Sequence, residues 1–151
     1  MRVNSLVDTG AILALLDRTD RWHQLCVDAF QQLRLPLITS EAVLTELFHL
    51  TGGNRRETEA AWKFLRSGAV TLMSIGDSEV PAINTLMSRY WDRAPYADAK
   101  RHCKIDFADA TLVHLAKRES LTTIFTVDFA DFETYRIDGR RRFRVLPIRR
   151  S

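Results

Sequence analysis

Four acidic residues occupy positions where an α/β protein commonly places its chemistry. Asp8 and Asp128 each follow a short apolar stretch, Glu46 lies inside an otherwise apolar helix, and Asp109 lies at the start of another helix. Ligands bind beyond the carboxyl ends of parallel strands, so we expect all four side chains to reach one crevice. Carboxylates ~5 Å apart at an effective dielectric near 20 repel by about 3 kcal/mol per pair. Such a cluster holds protons or a cation, and Mg²⁺ and Mn²⁺ favour oxygen ligands.

Each acid also has a simpler structural interpretation. Asp8 could only cap the helix that follows it, and Asp128 could be a turn residue. Glu46 could lie at the edge of its apolar stripe and reach water. Asp106 and Asp109 are one helical turn apart, so that one would cap the helix and the other would face the crevice. The joint pattern, rather than any single residue, favours a functional site.

Apolar strands alternate with amphipathic helices along the chain, which indicates a parallel sheet covered on both faces. We predict an α/β fold with three α/β/α layers, a central and mostly parallel sheet of four to five strands, and one domain over residues 1–151. The predicted strands are 2–7, 37–39, 70–75, 122–127 and 143–148. The predicted helices are 10–16, 20–33, 40–52, 54–68, 106–120 and one that starts at 77 or 78 and ends at 91. A polar loop is predicted at 92–104 and a short turn at 131–135.

Bulk composition is typical of a soluble globular protein, with 46% hydrophobic and 27% charged residues. No apolar run reaches the ~20 residues that cross a bilayer, and the N-terminus lacks a signal-peptide core. Cys26 and Cys103 match no metal-binding spacing and are interpreted as reduced thiols. We therefore expect a cytoplasmic protein with no membrane association.

Positive charge is concentrated at the C-terminus. Residues 134–151 hold seven Arg and one Asp, which is +6, whereas the whole chain carries +3. A basic tail beside an acidic pocket suits a polyanionic substrate. The tail would attract the backbone of the polyanion, and a cation in the pocket would act at the reacting group. A solvated tail that only aids solubility is the alternative interpretation.

The sequence lacks the motifs that several other kinds of functional site require. The chain has no Gly-rich phosphate loop, no GxGxxG, no GxSxG and no CxxC, and its four His show no metalloprotease spacing. A phosphoacceptor receiver domain also clusters acids at strand ends. It needs a paired acidic dipeptide after the first strand and a late Lys, and this chain has neither at those places.

The order Asp, Glu, Asp, Asp resembles the PIN domain, the metal-dependent nuclease fold of VapC-type toxins. Residues 7–17, 39–46, 106–113 and 125–132 carry the resemblance. It implies that the four acids are catalytic and metal-binding, namely Asp8, Glu46, Asp109 and Asp128. Thr126 stands where the family often has a hydroxyl, and Asp106 is an additional acid beside the third position. Gly10 departs from the pattern, because many relatives have Asn there.

The resemblance further implies an endoribonuclease that hydrolyses RNA phosphodiesters with Mg²⁺ or Mn²⁺. It implies the toxin of a type II toxin–antitoxin pair, a cognate antitoxin protein and a homodimer. The basic tail supplies candidate contacts to the RNA backbone, which are Arg140, Arg141, Arg142 and Arg144. A PIN-like module that binds RNA or a protein without cutting is the alternative.

Overall fold

A five-stranded parallel sheet forms the centre of a computed structural model that describes residues 4–91 and 105–149. Its strands lie in the order β3-β2-β1-β4-β7, and a separate antiparallel pair is formed by β5 and β6. The strands are β1 (Leu6–Val7), β2 (Leu37–Thr39), β3 (Val70–Leu72), β4 (Thr123–Phe125), β5 (Arg136–Ile137), β6 (Arg141–Arg142) and β7 (Arg144–Leu146).

Helices connect these strands. They are α1 (Thr9–Leu16), α2 (His23–Gln32), α3 (Glu41–Thr51), α4 (Arg55–Arg66), α5 (Val80–Trp91), α6 (Phe107–Arg118) and α7 (Phe129–Thr134), with a 3₁₀ turn at Asp77–Glu79 before α5. No helix in the described ranges combines the length and apolar character needed to cross a bilayer.

Alternation along the strands divides the core into two clusters, one on each face of the sheet. Successive strand residues point to opposite faces, so neighbours in sequence enter different clusters. Leu6, Ile38 and Ile124 join the cluster that includes α5 and α6 side chains. Val7, Leu37 and Phe125 join the cluster that includes side chains from α1, α2 and α4. The predicted three-layer α/β/α fold with a parallel sheet is therefore confirmed.

Local capping signals in the sequence set several helix starts. Ser40 accepts a hydrogen bond from the Val43 N–H, and Asn54 accepts one from the Glu57 N–H, so the two caps stand where the predicted helices 40–52 and 54–68 begin. The helix predicted from residue 20 begins instead at His23. Asp20 accepts a hydrogen bond from the Trp22 N–H and shapes the preceding turn.

Strand lengths and one hairpin differ from prediction. Strands were predicted at 70–75, 122–127 and 143–148. The observed strands β3, β4 and β7 within these ranges are each only three residues long, because pairing with the neighbouring strand extends no further. Residues 131–135, predicted as a turn, mostly belong to α7. The β5–β6 hairpin was not predicted, although Asp138 and Gly139 have φ of 57° and 71° and carry the Asp-Gly signature of a type I′ turn.

Several predictions fall partly or wholly on undescribed positions. Of the predicted strand 2–7 only residues 4–7 are described, and Leu6–Val7 form β1. Residues 92–104, the predicted polar loop, lie outside the described residues, and so does Cys103. Cys26 is buried and unbonded, and burial raises the pKa of its thiol to about 12, which keeps it protonated and unreactive.

Candidate active site

Adjacent strands bring Asp8 and Asp128 to the same edge of the sheet. β1 and β4 pair in parallel with Val7 opposite Phe125, so the residues that follow each strand emerge side by side. Thr126 joins the two acids. Its hydroxyl donates to Oδ2 of Asp8 at 3.1 Å and accepts a hydrogen bond from the Asp128 N–H at 3.0 Å. Thr126 is fully buried, so this link is shielded from water.

Asp8 is a buried acid that also caps a helix. Its Oδ1 accepts a hydrogen bond from the Thr9 N–H at 2.8 Å, and the residue is 2% exposed. Burial raises the pKa of the Asp8 carboxyl well above its usual range, and the negative charges of Asp109 and Asp128 raise it further. The simple capping interpretation is thus correct but incomplete, because a cap alone does not require burial among other acids.

Asp106 and Asp109 divide the two tasks that the sequence left open. Asp106 caps α6 by accepting a hydrogen bond from the Asp109 N–H at 2.8 Å, and its own side chain is exposed. Asp109 is 6% exposed, and its Oδ2 accepts a hydrogen bond from the Tyr135 hydroxyl at 2.9 Å. Burial raises the pKa of Asp109 to about 8, and the charges of Asp106 and Asp128 add to this effect.

Glu46 approaches the same group of acids from α3. Its side chain is partly buried. Burial raises the pKa of Glu46, and the negative charges of Asp106 and Asp128 raise it as well. Four segments that are distant in sequence therefore surround one region of negative potential, namely the ends of β1 and β4, α3 and the start of α6.

Basic side chains do not neutralise these acids within residues 4–91 and 105–149. The ion pairs of this part of the chain involve other carboxylates, such as Glu79 with Arg118 and Asp138 with Lys117. No three Asp, Glu, His or Cys side chains among the described residues converge tightly enough to form a ready-made cation site. The side chains at the site nonetheless all offer carboxylate oxygens whose negative charge is not compensated. Hard divalent cations prefer oxygen ligands of this kind. A cation would replace the protons that burial now favours on Asp8 and Asp109.

Two residues near the acids were not singled out from the sequence. Tyr135 is almost fully buried and orients Asp109, and the charge of Asp131 contributes to the raised pKa of Asp109. Asp131 lies one helical turn after Asp128, which was the available signal. Tyr135 and Asp109 are 26 residues apart, and no spacing rule connects them.

Gly10 permits the close approach of α1 to the end of β4. A Cβ at Gly10 would lie 2.5 Å from Cγ2 of Val127, which is closer than side-chain carbons approach one another. Val127 directly precedes Asp128. The glycine therefore allows the helix that starts at Asp8 to pack against the segment that carries Asp128.

The four arginines predicted to contact RNA lie toward the amino-terminal ends of the strands, away from the acids. Arg144 pairs with Thr123 at the start of β4, whereas Asp128 follows the end of that strand. Arg141 pairs with Asp138, which also pairs with Lys117 near the end of α6. Lys117 is eleven positions after Asp106, about 16 Å along a helix. Contacts of RNA with Arg140, Arg141, Arg142 and Arg144 remain a prediction.

A parallel α/β/α sheet with unneutralised acids at its carboxyl edge is the architecture of the PIN-type class. The sequence model of the PIN domain matches residues 5–138, and the chain belongs to the PIN domain family. Ribonuclease VapC26 of Mycobacterium tuberculosis strain ATCC 25618 / H37Rv is 30% identical over 145 residues, covering 94% of this chain and 99% of that protein. The predicted resemblance is confirmed.

A solved structure shares the fold. Mycobacterium tuberculosis VapC20, described as a sarcin-ricin loop cleaving toxin, superposes with a TM-score of 0.65. The match covers 84% of this chain and 93% of VapC20, at 22% sequence identity. This likeness supports the architecture of the sheet and its helices.

Proposed function

We propose that this chain is a divalent-metal-dependent endoribonuclease that hydrolyses RNA phosphodiesters. The observation that carries the proposal is the group of acids at the carboxyl edge, in which Asp8 and Asp109 are buried without a basic partner among the described residues. Burial of uncompensated charge is costly, and a protein keeps it where a ligand supplies the opposite charge. Similarity to a relative named a ribonuclease supports the same reaction class.

Asp8, Asp109 and Asp128 would hold Mg²⁺ or Mn²⁺, and Glu46 would bind the cation or orient the attacking water. The bound cation would supply the positive charge that acidifies a water molecule and stabilises charge developing on the phosphate. Thr126 keeps Oδ2 of Asp8 in place, and the Tyr135 hydroxyl does the same for Oδ2 of Asp109. Asp8 and Asp109 must lose their protons before they can bind a cation, because the pKa of each is raised.

The proposed biological role is that of a toxin in a type II toxin–antitoxin pair, acting in the cytoplasm. Residues 1–151 would form one nuclease domain, and the PIN match over 5–138 supports this extent. A cognate antitoxin would silence the enzyme by placing an Arg or Lys among the acids, where its charge would replace that of the metal. We also propose a homodimer, to be checked by light scattering on the purified protein. Growth arrest relieved by co-expressing a neighbouring small reading frame would support the toxin role.

The test of the nuclease is cleavage of RNA by purified protein with Mg²⁺, with Mn²⁺ and with EDTA. We expect cleavage only with a divalent cation, and a loss of at least a hundredfold in Asp8→Asn and Asp109→Asn, because each removes a charge that is needed for the cation. Asp28→Asn is the matched control, since Asp28 is exposed on α2 and hydrogen-bonds only to Gln24 among the described residues. Equal cleavage by Asp8→Asn and the wild type would contradict the assignment.

The same experiment separates the nuclease from a PIN-like module that only binds. A binding module would retain RNA or protein affinity and show no cleavage with either cation. Cleavage that persists in EDTA would instead indicate a contaminating nuclease or metal-independent chemistry, and the control variants would show the same rate.

A further inference from the structure

Two arginines are held against aromatic rings, and one of these rings directly follows Asp128 in the chain. The Arg21 guanidinium carbon lies 4.4 Å from the centre of the Trp22 ring, and that of Arg149 lies 4.5 Å from the centre of the Phe129 ring. Trp22 and Phe129 meet edge to face, with their centres 5.0 Å apart. The four side chains form a continuous row of cation, ring, ring and cation, which we call the Arg21–Arg149 row.

One ring of the row adjoins a proposed metal-binding acid in the sequence. Phe129 is the residue directly after Asp128, and its buried ring anchors the middle of the row. The Arg149 guanidinium, 4.5 Å from the centre of this ring, therefore lies over the residue that directly follows Asp128. Arg144, one of the sequence-predicted RNA contacts, lies instead at the opposite end of β4.

These guanidinium groups keep most of their charge and donors available. Arg21 is exposed and forms no hydrogen bond or ion pair with the described residues. Arg149 has one ion pair, from Nη2 to Glu133 at 3.0 Å, and both side chains are about half exposed. An exposed pair of this kind contributes little and is readily exchanged for another anion. The aromatic rings hold the guanidinium planes in place without neutralising them.

By contrast, the basic side chains at the far end of α6 are largely engaged. Arg118 pairs with both Glu79 and Glu119 and donates to the Ser74 carbonyl. Lys117 pairs with Asp138. Charge that is already compensated gives less attraction to a polyanion than charge held free on a ring.

We propose that the Arg21–Arg149 row is the surface on which a single RNA strand enters the active site, with both guanidinium groups on its phosphates. This inference rests on the proposed function. A polyanion that approaches several carboxylates is repelled, and a cation at the centre relieves that repulsion only locally. Positive charge on the flanking nucleotides must supply the rest. The row supplies two such charges, spaced by two aromatic rings.

The experiment measures RNA affinity separately from cleavage. A pool of fluorescently labelled random-sequence RNA is titrated with full-length protein in EDTA at several salt concentrations, and kcat and KM are then measured with Mg²⁺ or Mn²⁺. The test variants are Arg21→Gln, Arg149→Gln and the pair together. The matched controls are Arg55→Gln, Lys117→Gln and their pair, which remove the same charge from exposed sites elsewhere.

We expect each single test variant to lose about threefold to tenfold in affinity, and the pair to lose more than tenfold. The pair should also reduce the slope of log affinity against log salt by about 1.4, since each phosphate contact on a single strand contributes about 0.7. KM should rise by a similar factor while kcat changes less than twofold, because neither arginine touches the reacting atoms. The control pair should stay within twofold of the wild type in affinity.

Distinct results separate this inference from the nuclease itself. RNA affinity that depends on the row in a protein that never cleaves would keep the surface and remove the nuclease. Metal-dependent cleavage with unchanged affinity and salt slope in Arg21→Gln/Arg149→Gln would keep the nuclease and overturn the surface. Equal losses in the control pair, or row-dependent binding of poly-glutamate without row-dependent binding of RNA, would also overturn it, the latter in favour of an acidic protein partner.

Discussion

At the residue scale, burial and mutual repulsion act together on Asp8 and Asp109. Protein hydrogen bonds fix oxygens of both carboxylates. Asp8 accepts from the Thr9 N–H and the Thr126 hydroxyl, and Asp109 accepts from the Tyr135 hydroxyl. These bonds orient the oxygens but do not offset the cost of burying negative charge, because the pKa of both acids stays raised. The folded protein without metal therefore favours protonated acids, and this preference links stability to pH.

Asp109→Asn tests that linkage. The pKa of Asp109 is about 8 in the folded state and about 4 when unfolded, so the fold favours its neutral form. The wild type therefore loses stability as pH rises from about 4 through about 8, and an Asn that cannot ionise does not. In urea unfolding with EDTA, we expect the variant to gain about 2–4 kcal/mol on the wild type between pH 4.5 and pH 7.5.

Asp28→Asn is again the control for this measurement, and its difference from the wild type should stay the same at both pH values. A stability difference between Asp109→Asn and the wild type that does not change with pH would show that Asp109 ionises normally in the folded protein.

At the element scale, the site depends on how closely α1 and β4 approach each other. The helix begins at Asp8, the strand leads to Asp128, and Gly10 meets Val127 between them. Valine is β-branched and has few rotamers with which to move aside. The separation of the two acids is thus set by a contact between neighbouring elements and not by the acids themselves.

Gly10→Ala should reduce activity more than stability. The new Cβ would overlap Val127, which costs about 1–3 kcal/mol, while alanine in place of glycine in a helix returns about 1 kcal/mol. We expect metal-dependent cleavage to fall about tenfold or more, since small displacements of catalytic groups are costly. Thermal unfolding and RNA cleavage are measured together on the same preparation.

The double variant Gly10→Ala/Val127→Ala is the control, because the smaller side chain makes room for the added methyl group. Its activity should recover at least partly. Full activity in Gly10→Ala alone would show that the contact between α1 and the end of β4 does not control the spacing of the acids.

At the scale of the whole molecule, a bound cation would stabilise the fold. Metal that binds the folded state alone raises stability by about 2.7 kcal/mol at a hundred times its dissociation constant, or roughly 5–10 °C in Tm for a chain of this size. We expect this rise for the wild type with Mn²⁺ or Mg²⁺ at pH 7.5, and a smaller rise at pH 5.5, where protons compete for Asp8 and Asp109. Differential scanning fluorimetry measures it without any catalysis.

Removal of the metal by EDTA should return the Tm to its starting value. Asp8→Asn and Asp109→Asn should show no metal-dependent rise, whereas Asp28→Asn should behave as the wild type. A rise of equal size in all four proteins would place the bound cation elsewhere on the molecule.

Features that depend on near neighbours follow from the amino-acid sequence alone. Helix caps such as Ser40 and Asn54 act over three residues, and apolar periodicity acts within one element. These short-range signals were enough for the α/β/α architecture and for the types of acid at the strand ends. The Asp138-Gly139 turn was equally local and could have been predicted from the same rules.

Contacts between groups that are distant in sequence depend on the folded molecule. Thr126 and Asp8 are 118 residues apart, and Tyr135 and Asp109 are 26 apart, so their hydrogen bonds depend on strand order and helix packing. Arg144 and Arg149 lie at different ends of the sheet for the same reason. β7 runs parallel to β4, which places Arg144 at the strand's starting edge, while the chain that continues beyond β7 places Arg149 over Phe129. Strand order and direction are properties of the assembled sheet, because they are set by which faces can be buried together.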